Sequence, residues 1–252
     1  MDNSYFKSFV IPSGTVTVID EGSRFQYGTK QRIATEYVAF IKNKGYTECI
    51  YAGPVNAMGA FALAYGCEQN KVKATLFLIG TTKPPHACGF SNLINIRLLQ
   101  CSLQNAEKMA EDYVNKSNKR FLVPFGIKDP LYVNLLKSSL QNDVSINNLN
   151  PERMWLAVGS GTLLSILLEI YPNTHFMCVQ VGKSLRINEL SEQHDYSRRI
   201  TTFWSPEKFT KPAEIKPPYN SLDNYDAKIW RFVLSNGLNG DFIWNVAGNF
   251  NL

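Results

Sequence analysis

The chain alternates short buried strands with helices, and this order constrains its fold more than any other feature. Thr15–Asp20 is β-branched and alternating, whereas Glu48–Ala52 and Ala74–Ile79 are apolar runs of strand length. Between these strands, apolar residues at helical spacing predict helices over Lys30–Lys44 and Ala57–Glu68. The resulting β-α-β-α-β order favours a parallel sheet with helices on its faces.

A second strand–helix–strand unit follows in the later half of the chain. Met154–Val158 and His175–Val181 have the apolar character of buried strands, and Thr162–Ile170 between them is typical of an apolar helix. The Asn-rich segment 142–150 and the proline-containing segment 209–218 are expected to be connections. The other predicted elements are helices over residues 104–114, 130–140 and 226–234 and strands over residues 120–124 and 241–246.

The length of 252 residues fits one large α/β domain. We predict an α/β fold with a mostly parallel sheet covered by helices on both faces, in a single unit spanning residues 1–252. This unit could divide into a smaller lobe of roughly residues 45–125 and a larger lobe of residues 1–44 and 126–252. A ligand crevice is expected at the carboxyl ends of the parallel strands.

Composition and charge argue against several classes of protein. A net charge of +5, with its basic residues spread along the chain, does not favour a nucleic-acid partner. No apolar run approaches the roughly 20 residues that a membrane-spanning helix needs. The N-terminus lacks the features of a secretory signal, and the five scattered cysteines form no C-x-x-C pair, so we expect a reducing, cytoplasmic location. His86, His175 and His194 lack the spacing of metal ligands, so no metal is predicted.

Three segments at predicted strand–helix junctions have the residue types of a ligand site. The first, Gly28–Arg32, places Lys30 in the predicted first turn of a helix. There the helix dipole and burial would lower the pKa of the amine and favour the neutral nucleophile. The alternative is a solvated lysine at the start of a helix.

The second segment contains Asn56 after a Gly-Pro turn, where its amide could cap the following helix and also bond a ligand. Small residues such as Gly59 would let a ligand approach this helix closely. A capped, tightly packed core helix explains the same pattern. Tyr51, just before the turn, could line a pocket or could be part of the core.

The third segment is Gly159-Ser160-Gly161-Thr162, between a predicted strand and an apolar helix. Successive backbone amides in such a turn, together with the positive end of the helix dipole, suit a dianionic phosphate. No Gly-Lys-Ser/Thr follows, so this is not a Walker A loop. A plain tight turn is the alternative.

The order of these segments resembles the arrangement in pyridoxal-phosphate-dependent enzymes of fold type II. VIDEGSRFQYGTKQR is similar to the lysine signature of the deaminase and desulfhydrase branch of that superfamily. AGPVNAMGAFALAYGC and LAVGSGTLLS resemble its asparagine turn and its phosphate-binding glycine loop. The likeness covers roughly residues 15–181, with a weaker likeness at the C-terminus.

The resemblance implies a role for each matching residue. Lys30 would carry the cofactor, Asn56 would bond its 3-hydroxyl group, and residues Gly159, Ser160, Gly161 and Thr162 would hold its phosphate. Near the C-terminus the family pattern has a hydroxyl that meets the pyridine nitrogen, but this chain has Ala247, and Asn245 could take that contact instead. The chain is also short for the family.

The implied function is pyridoxal 5'-phosphate-dependent transformation of an amino acid or analogue, with β-elimination or deamination favoured. A homodimer is compatible with the sequence. Two alternatives stay open. One is a non-catalytic descendant of the fold that binds a phosphate-bearing small molecule or a protein partner. The other is an unrelated nucleotide- or sugar-phosphate-binding protein that uses only the Gly159 loop.

Overall fold

The structure is a computed structural model that describes residues 5–83, 87, 89–181 and 196–249. These residues contain ten strands: β1 (Phe6–Ile11), β2 (Gly14–Asp20), β3 (Glu48–Pro54), β4 (Lys73–Ile79), β5 (Ile94–Leu99), β6 (Arg120–Val123), β7 (Arg153–Val158), β8 (His175–Gln180), β9 (Ile200–Trp204) and β10 (Phe242–Asn245). Six α-helices accompany them in the same ranges: α1 (Ala34–Asn43), α2 (Met58–Asn70), α3 (Leu103–Val114), α4 (Pro130–Asn147), α5 (Thr162–Ile170) and α6 (Trp230–Asn236).

The chain divides into two compact units. The large-sheet unit comprises the described parts of residues 5–29 and 137–249, and the small-sheet unit those of residues 30–136. The strands thus form two sheets.

The large-sheet unit has a six-stranded sheet in the order β1-β2-β10-β7-β8-β9. Only the β1–β2 pair is antiparallel, and the other four pairs are parallel. Residues of α6, including Trp230 and Val233, pack on one face of this sheet against Trp155 and Ile243. The carboxyl ends of β7 and β10 therefore lie at the same edge of the sheet.

The small-sheet unit has four parallel strands in the order β5-β4-β3-β6. Alternate residues of β3 point to opposite faces. Ile50 packs with Ala106 and Ala110 of α3 on one face, whereas the thiol of Cys49 is hydrogen-bonded to the thiol of Cys67 of α2 on the other. This sheet is covered by helices on both faces, as predicted.

Most predicted elements are confirmed to within a few residues, but three strands were missed. β1 pairs with β2 across a short turn, and β9 lies at the far edge of the same sheet. β5 is an edge strand with exposed polar residues such as Asn95 and Arg97. Edge strands need no continuous apolar run, so their sequence signal is weak.

Two predicted boundaries were wrong. The helix predicted from Lys30 begins only at Ala34, because the Lys30 carbonyl accepts a hydrogen bond from the Tyr132 hydroxyl at 2.6 Å instead of from the helix backbone. The Asn-rich segment is helical as far as Asn147. There the Asn147 side chain donates to the Asp143 carbonyl at 2.8 Å, which supports the last turn of α4.

No helix among the described residues is long and apolar enough to cross a membrane.

Candidate functional site

Lys30 follows a loop that is pinned against the end of β10. Gly28 has a left-handed φ of 71°, and a Cβ at this position would lie 2.3 Å from the Val246 carbonyl oxygen. The next residue, Thr29, donates its amide to Val246 O at 3.0 Å and accepts the Trp244 indole N–H at 3.1 Å. Only glycine fits at position 28. These contacts fix the chain immediately before Lys30.

Lys30 itself lies in a short 3-10 turn, not in the first turn of α1. Its side chain is partly buried, and among the described residues its amine makes no hydrogen bond or ion pair. Burial, and to a smaller extent the positive charge of Lys128, lowers the pKa of the Lys30 amine to about 8. The predicted placement of Lys30 in the first turn of its own α-helix was therefore wrong, and burial is the main cause of the lowered pKa. At pH 7 about a tenth of such amines are neutral and nucleophilic.

The Lys30 amine lies beside the first turn of α2. A Cβ at Gly59 would lie 3.5 Å from Lys30 Nζ and 3.5 Å from the hydroxyl oxygen of Tyr51. The two groups therefore lie close to the same point in space. Burial raises the pKa of the Tyr51 hydroxyl, which stays protonated at neutral pH. Sequence reasoning left open whether Tyr51 lines a pocket, and its position places it beside the reactive amine.

Asn56 lies in the turn between β3 and α2, but it does not cap the helix. The N-cap is Ala57, whose amide donates to the Pro54 carbonyl at 3.0 Å, so the chain completes a turn before α2 begins at Met58. The predicted capping role was wrong. The Asn56 side chain is partly exposed and has no hydrogen-bond partner among the residues described. Its amide can therefore bond a ligand without first breaking a contact.

The glycine loop leads from β7 into α5 in the large-sheet unit. Gly161 occupies the N-cap position of α5 and has a left-handed φ of 80°, a backbone conformation that favours glycine. The amides of Ser160 and Gly161 donate to no group in the described part of the chain. The hydroxyl oxygens of Ser160 and Thr162 lie 3.2 Å apart. The amides of Ser160 and Gly161, which donate to no described residue, thus lie at a helix N-terminus, an arrangement that suits an anion.

Tyr225 closes one side of the glycine loop. Its hydroxyl donates to the Ala157 carbonyl at 3.3 Å and accepts a hydrogen bond from the Gly159 amide. A Cβ at Gly159 would lie 3.0 Å from this hydroxyl oxygen. The first amide of the loop is therefore occupied, and the later ones are the donors left for a ligand.

The end of β10 carries the other predicted contact, Asn245. This side chain is fully buried, and its Nδ2 donates to Asp20 at 3.0 Å and to the Asn220 carbonyl at 2.9 Å. Both amide hydrogens are thus used, and Oδ1 is the atom that has no partner among the described residues.

Asp226, which sequence reasoning did not single out, lies next to Ala247. Its Oδ2 accepts the Ala247 amide at 3.3 Å, while Oδ1 is buried and has no partner in the described ranges. Burial, with a smaller contribution from the charge of Asp20, raises the pKa of the Asp226 carboxyl to about 8. The sequence showed only an acidic residue at the start of a predicted helix, which is a common pattern.

The structure thus groups the candidate residues by unit. Lys30, Tyr51, Asn56 and Gly59 belong to the small-sheet unit, and the glycine loop, Asn245 and Asp226 belong to the large-sheet unit. Within the described ranges, no group of three or more His, Cys, Asp or Glu residues could hold a metal. His86, Cys88 and His194 lie outside those ranges.

Several solved structures share this fold. A 1-aminocyclopropane-1-carboxylate (ACC) deaminase homologue is 16% identical, with a TM-score of 0.75 over 96% of this chain and 89% of its own. A hydrogen sulfide-producing enzyme from Fusobacterium nucleatum is 15% identical, with a TM-score of 0.67 over 96% of this chain and 94% of its own. Diaminopropionate ammonia lyase from Escherichia coli, in complex with an aminoacrylate-PLP azomethine reaction intermediate, is 12% identical, with a TM-score of 0.66 over 94% and 80%.

No protein-family model and no curated protein sequence matches the chain. At identities this low, the structural likeness establishes the fold and leaves the activity to be argued from the site. The predicted fold class is confirmed. The chain has the fold of the fold type II class of pyridoxal-phosphate enzymes.

Proposed function

We propose that the chain binds pyridoxal 5'-phosphate through Lys30 and catalyses elimination from the β carbon of an amino acid or close analogue. One observation carries this proposal. In the fold of a pyridoxal-phosphate enzyme, the lysine that matches the family signature has a pKa lowered to about 8, and its amine makes no hydrogen bond or ion pair with any described residue. Such an amine can attack an aldehyde near neutral pH, which an ordinary surface lysine does poorly.

The phosphate end of the cofactor fits the glycine loop. Ser160 and Gly161 offer backbone amides, and the hydroxyls of Ser160 and Thr162 offer further donors. The start of α5 adds the partial positive charge of its dipole. This loop can hold a dianion without any lysine or arginine.

The pyridine nitrogen of the cofactor would be contacted by a side chain other than the hydroxyl of the family pattern. Ala247 has no polar side-chain atom, so the contact falls to Asn245 or Asp226, which each have one buried oxygen without a partner among the described residues. A protonated ring nitrogen could donate to either oxygen. Asn56 supports the proposal at the 3-hydroxyl group, because its amide is uncommitted.

The cofactor, when bound, would supply an electron sink for the electron pair that is left on the α carbon when its proton is removed. A residue of the chain accepts the proton that leaves the α carbon. The neutral Lys30 amine removes the proton from the α carbon, and the low pKa of this amine keeps it available as a base. Elimination is favoured over other reactions because the solved structures that share this fold include an ACC deaminase homologue, an ammonia lyase and a hydrogen sulfide-producing enzyme.

A second candidate function is cofactor or phosphate-ligand binding without catalysis. Ala247 favours it, because the family pattern has a hydroxyl there. We further propose that the protein works in the cytoplasm on a small amino acid, as a monomer or a homodimer, and without a nucleic-acid partner.

Exchange of the α proton in deuterium oxide separates the two candidates. We expect the protein loaded with pyridoxal phosphate to exchange the α proton of at least one amino acid, measured by NMR over a panel of substrates. Lys30→Ala should abolish that exchange. Tight cofactor binding without exchange for any amino acid would contradict the enzyme and favour the binding protein.

A further inference from the structure

We propose that Tyr51 is a catalytic residue that donates a proton to the leaving group, across a gap that Gly59 keeps open beside Lys30. This inference rests on the proposed elimination reaction. It assigns the second proton transfer of that reaction to a residue of the small-sheet unit.

The two buried glycines of α2 show why the gap is significant. Glycine within a helix destabilises that helix relative to alanine. At Gly66 packing explains the glycine, because a Cβ there would lie 2.4 Å from the Ala34 carbonyl oxygen of α1. At Gly59 a Cβ would make only ordinary contacts, at 3.5 Å, with Lys30 and Tyr51. The fold does not need glycine at position 59. A ligand between these two groups would need it, because a Cβ there would occupy part of the ligand's space.

Tyr51 is held in one orientation. Its ring packs over the backbone of Gly53, where a Cβ would lie 2.8 Å from a ring carbon. The Gly126 amide donates a hydrogen bond to the Tyr51 hydroxyl oxygen. Because the oxygen is used as an acceptor, the hydroxyl proton stays available for another group. Burial raises the pKa of this hydroxyl, so Tyr51 keeps its proton at neutral pH until a leaving atom more basic than tyrosinate takes it.

The proton balance of an elimination needs such an acid. The Lys30 amine takes the proton from the α carbon, and the electron pair left there ends in a new double bond between the α and β carbons. The bond from the β carbon to the leaving atom breaks, and its electron pair departs with that atom. Tyr51 gives its proton to the same atom. The Gly126 amide stabilises the resulting tyrosine oxyanion, and Lys30 then returns its proton to Tyr51.

The choice of leaving group tests this assignment. Hydroxide from L-serine must be protonated as it departs, whereas chloride from β-chloro-L-alanine need not be. For Tyr51→Phe we expect the elimination rate with serine to fall at least a hundredfold, and the rate with chloroalanine to change less than threefold. Tyr46→Phe, at a tyrosine that packs on Phe121, is the matched control and should change neither rate.

Gly59→Ala tests the gap without removing either group. The cofactor-free protein should melt about 1 to 3 °C higher, because alanine favours the helix. The affinity of the loaded protein for serine, followed by its absorption spectrum, should fall at least tenfold. Gly66→Ala should instead lower the melting temperature.

The outcomes separate this inference from the proposed function. If the wild-type protein eliminates neither hydroxide nor chloride, both fail together. If it eliminates both, but Tyr51→Phe slows them equally or Gly59→Ala leaves serine affinity unchanged, the inference fails and the proposed function stands. Should Tyr51→Phe not fold, the Gly59→Ala result decides.

Discussion

The β3–α2 and β7–α5 junctions are built alike but offer different chemistry. Each joins a buried parallel strand to a helix through a short turn. At β7–α5 the candidate donors are backbone amides, and Gly161 adopts a left-handed conformation. At β3–α2 the helix starts from Ala57 in an extended conformation, and the groups proposed to act are the side chains of Asn56 and Tyr51.

The two junctions therefore differ in the kind of ligand group that each could bind. Backbone amides at a helix start recognise charge and shape, which suits a phosphate. Side chains at a strand end can carry or withhold a proton, which suits the reacting centre. The β3–α2 junction therefore depends on side-chain identity, whereas the β7–α5 junction depends on backbone conformation. The predictions below test this division.

The largest effect is expected at the β7–α5 junction. Gly161→Asp places a carboxylate where the phosphate would lie and should weaken pyridoxal-phosphate binding about a hundredfold, near 2.7 kcal/mol. Spectral titration of the cofactor measures this change. Asn also tolerates the left-handed conformation, so Gly161→Asn is the matched neutral control and should lose much less affinity. Equal losses would mean that backbone shape, not charge, governs the site.

At Lys30 we expect function and stability to oppose each other. The folded-state pKa of about 8 lies below the unfolded value, so the unfolded chain binds the extra proton between about pH 8 and pH 10.5. Lys30 therefore destabilises the fold below pH 8, and the penalty disappears as the pH rises through that window. Lys30→Met should increase the free energy of unfolding by about 1 to 3 kcal/mol at pH 7 and by little above pH 10.5. Urea unfolding of the cofactor-free protein at both pH values measures this, and a loss of stability at pH 7 would contradict it.

Residues at the end of β10 should affect the rate of α-proton exchange but not the affinity for the cofactor. Ala247→Ser restores a hydroxyl at the position where the family pattern has one, and the buried site has the Asp226 carboxyl as a neighbour. We expect cofactor affinity to stay within about twofold and the rate of α-proton exchange to change about three- to tenfold. An unchanged exchange rate would indicate that this residue does not contact the ring.

The smallest effect concerns Lys128. This residue contributes less than burial to the lowered pKa of Lys30, so Lys128→Gln should raise that pKa only slightly. The rate of adduct formation with pyridoxal phosphate at pH 7 should fall about two- to threefold and recover at pH 9. Lys119→Gln is a control at an exposed lysine of the same unit. A loss that persists at pH 9 would point to a direct contact between Lys128 and the ligand.

Much of the fold could be predicted because its buried strands and apolar helices are local patterns. β2, β3, β4, β7 and β8 and the helices between them follow from apolar periodicity. The division of the strands into two sheets depends on pairing between distant segments, which periodicity does not encode. β5 was missed because an edge strand can be polar, as Arg97 shows.

The site was predictable where a motif carries its own geometry. The left-handed Gly161, and the amides of Ser160 and Gly161 that donate to no described residue, follow from the glycine pattern before an apolar helix. The environment of Lys30 did not follow, because Lys128 and Tyr132 come from a distant part of the chain. Asp226 was likewise invisible, since its burial beside Ala247 is a tertiary property.

Borohydride reduction followed by peptide mass spectrometry shows directly whether Lys30 carries pyridoxal phosphate. We expect a visible absorption band that borohydride bleaches, and one phosphopyridoxyl group per chain on the peptide that contains Lys30. Lys30→Ala should lose both the band and the label, whereas Lys128→Ala should keep both. A label of the same stoichiometry on another lysine, or an unchanged band in Lys30→Ala, would contradict the account.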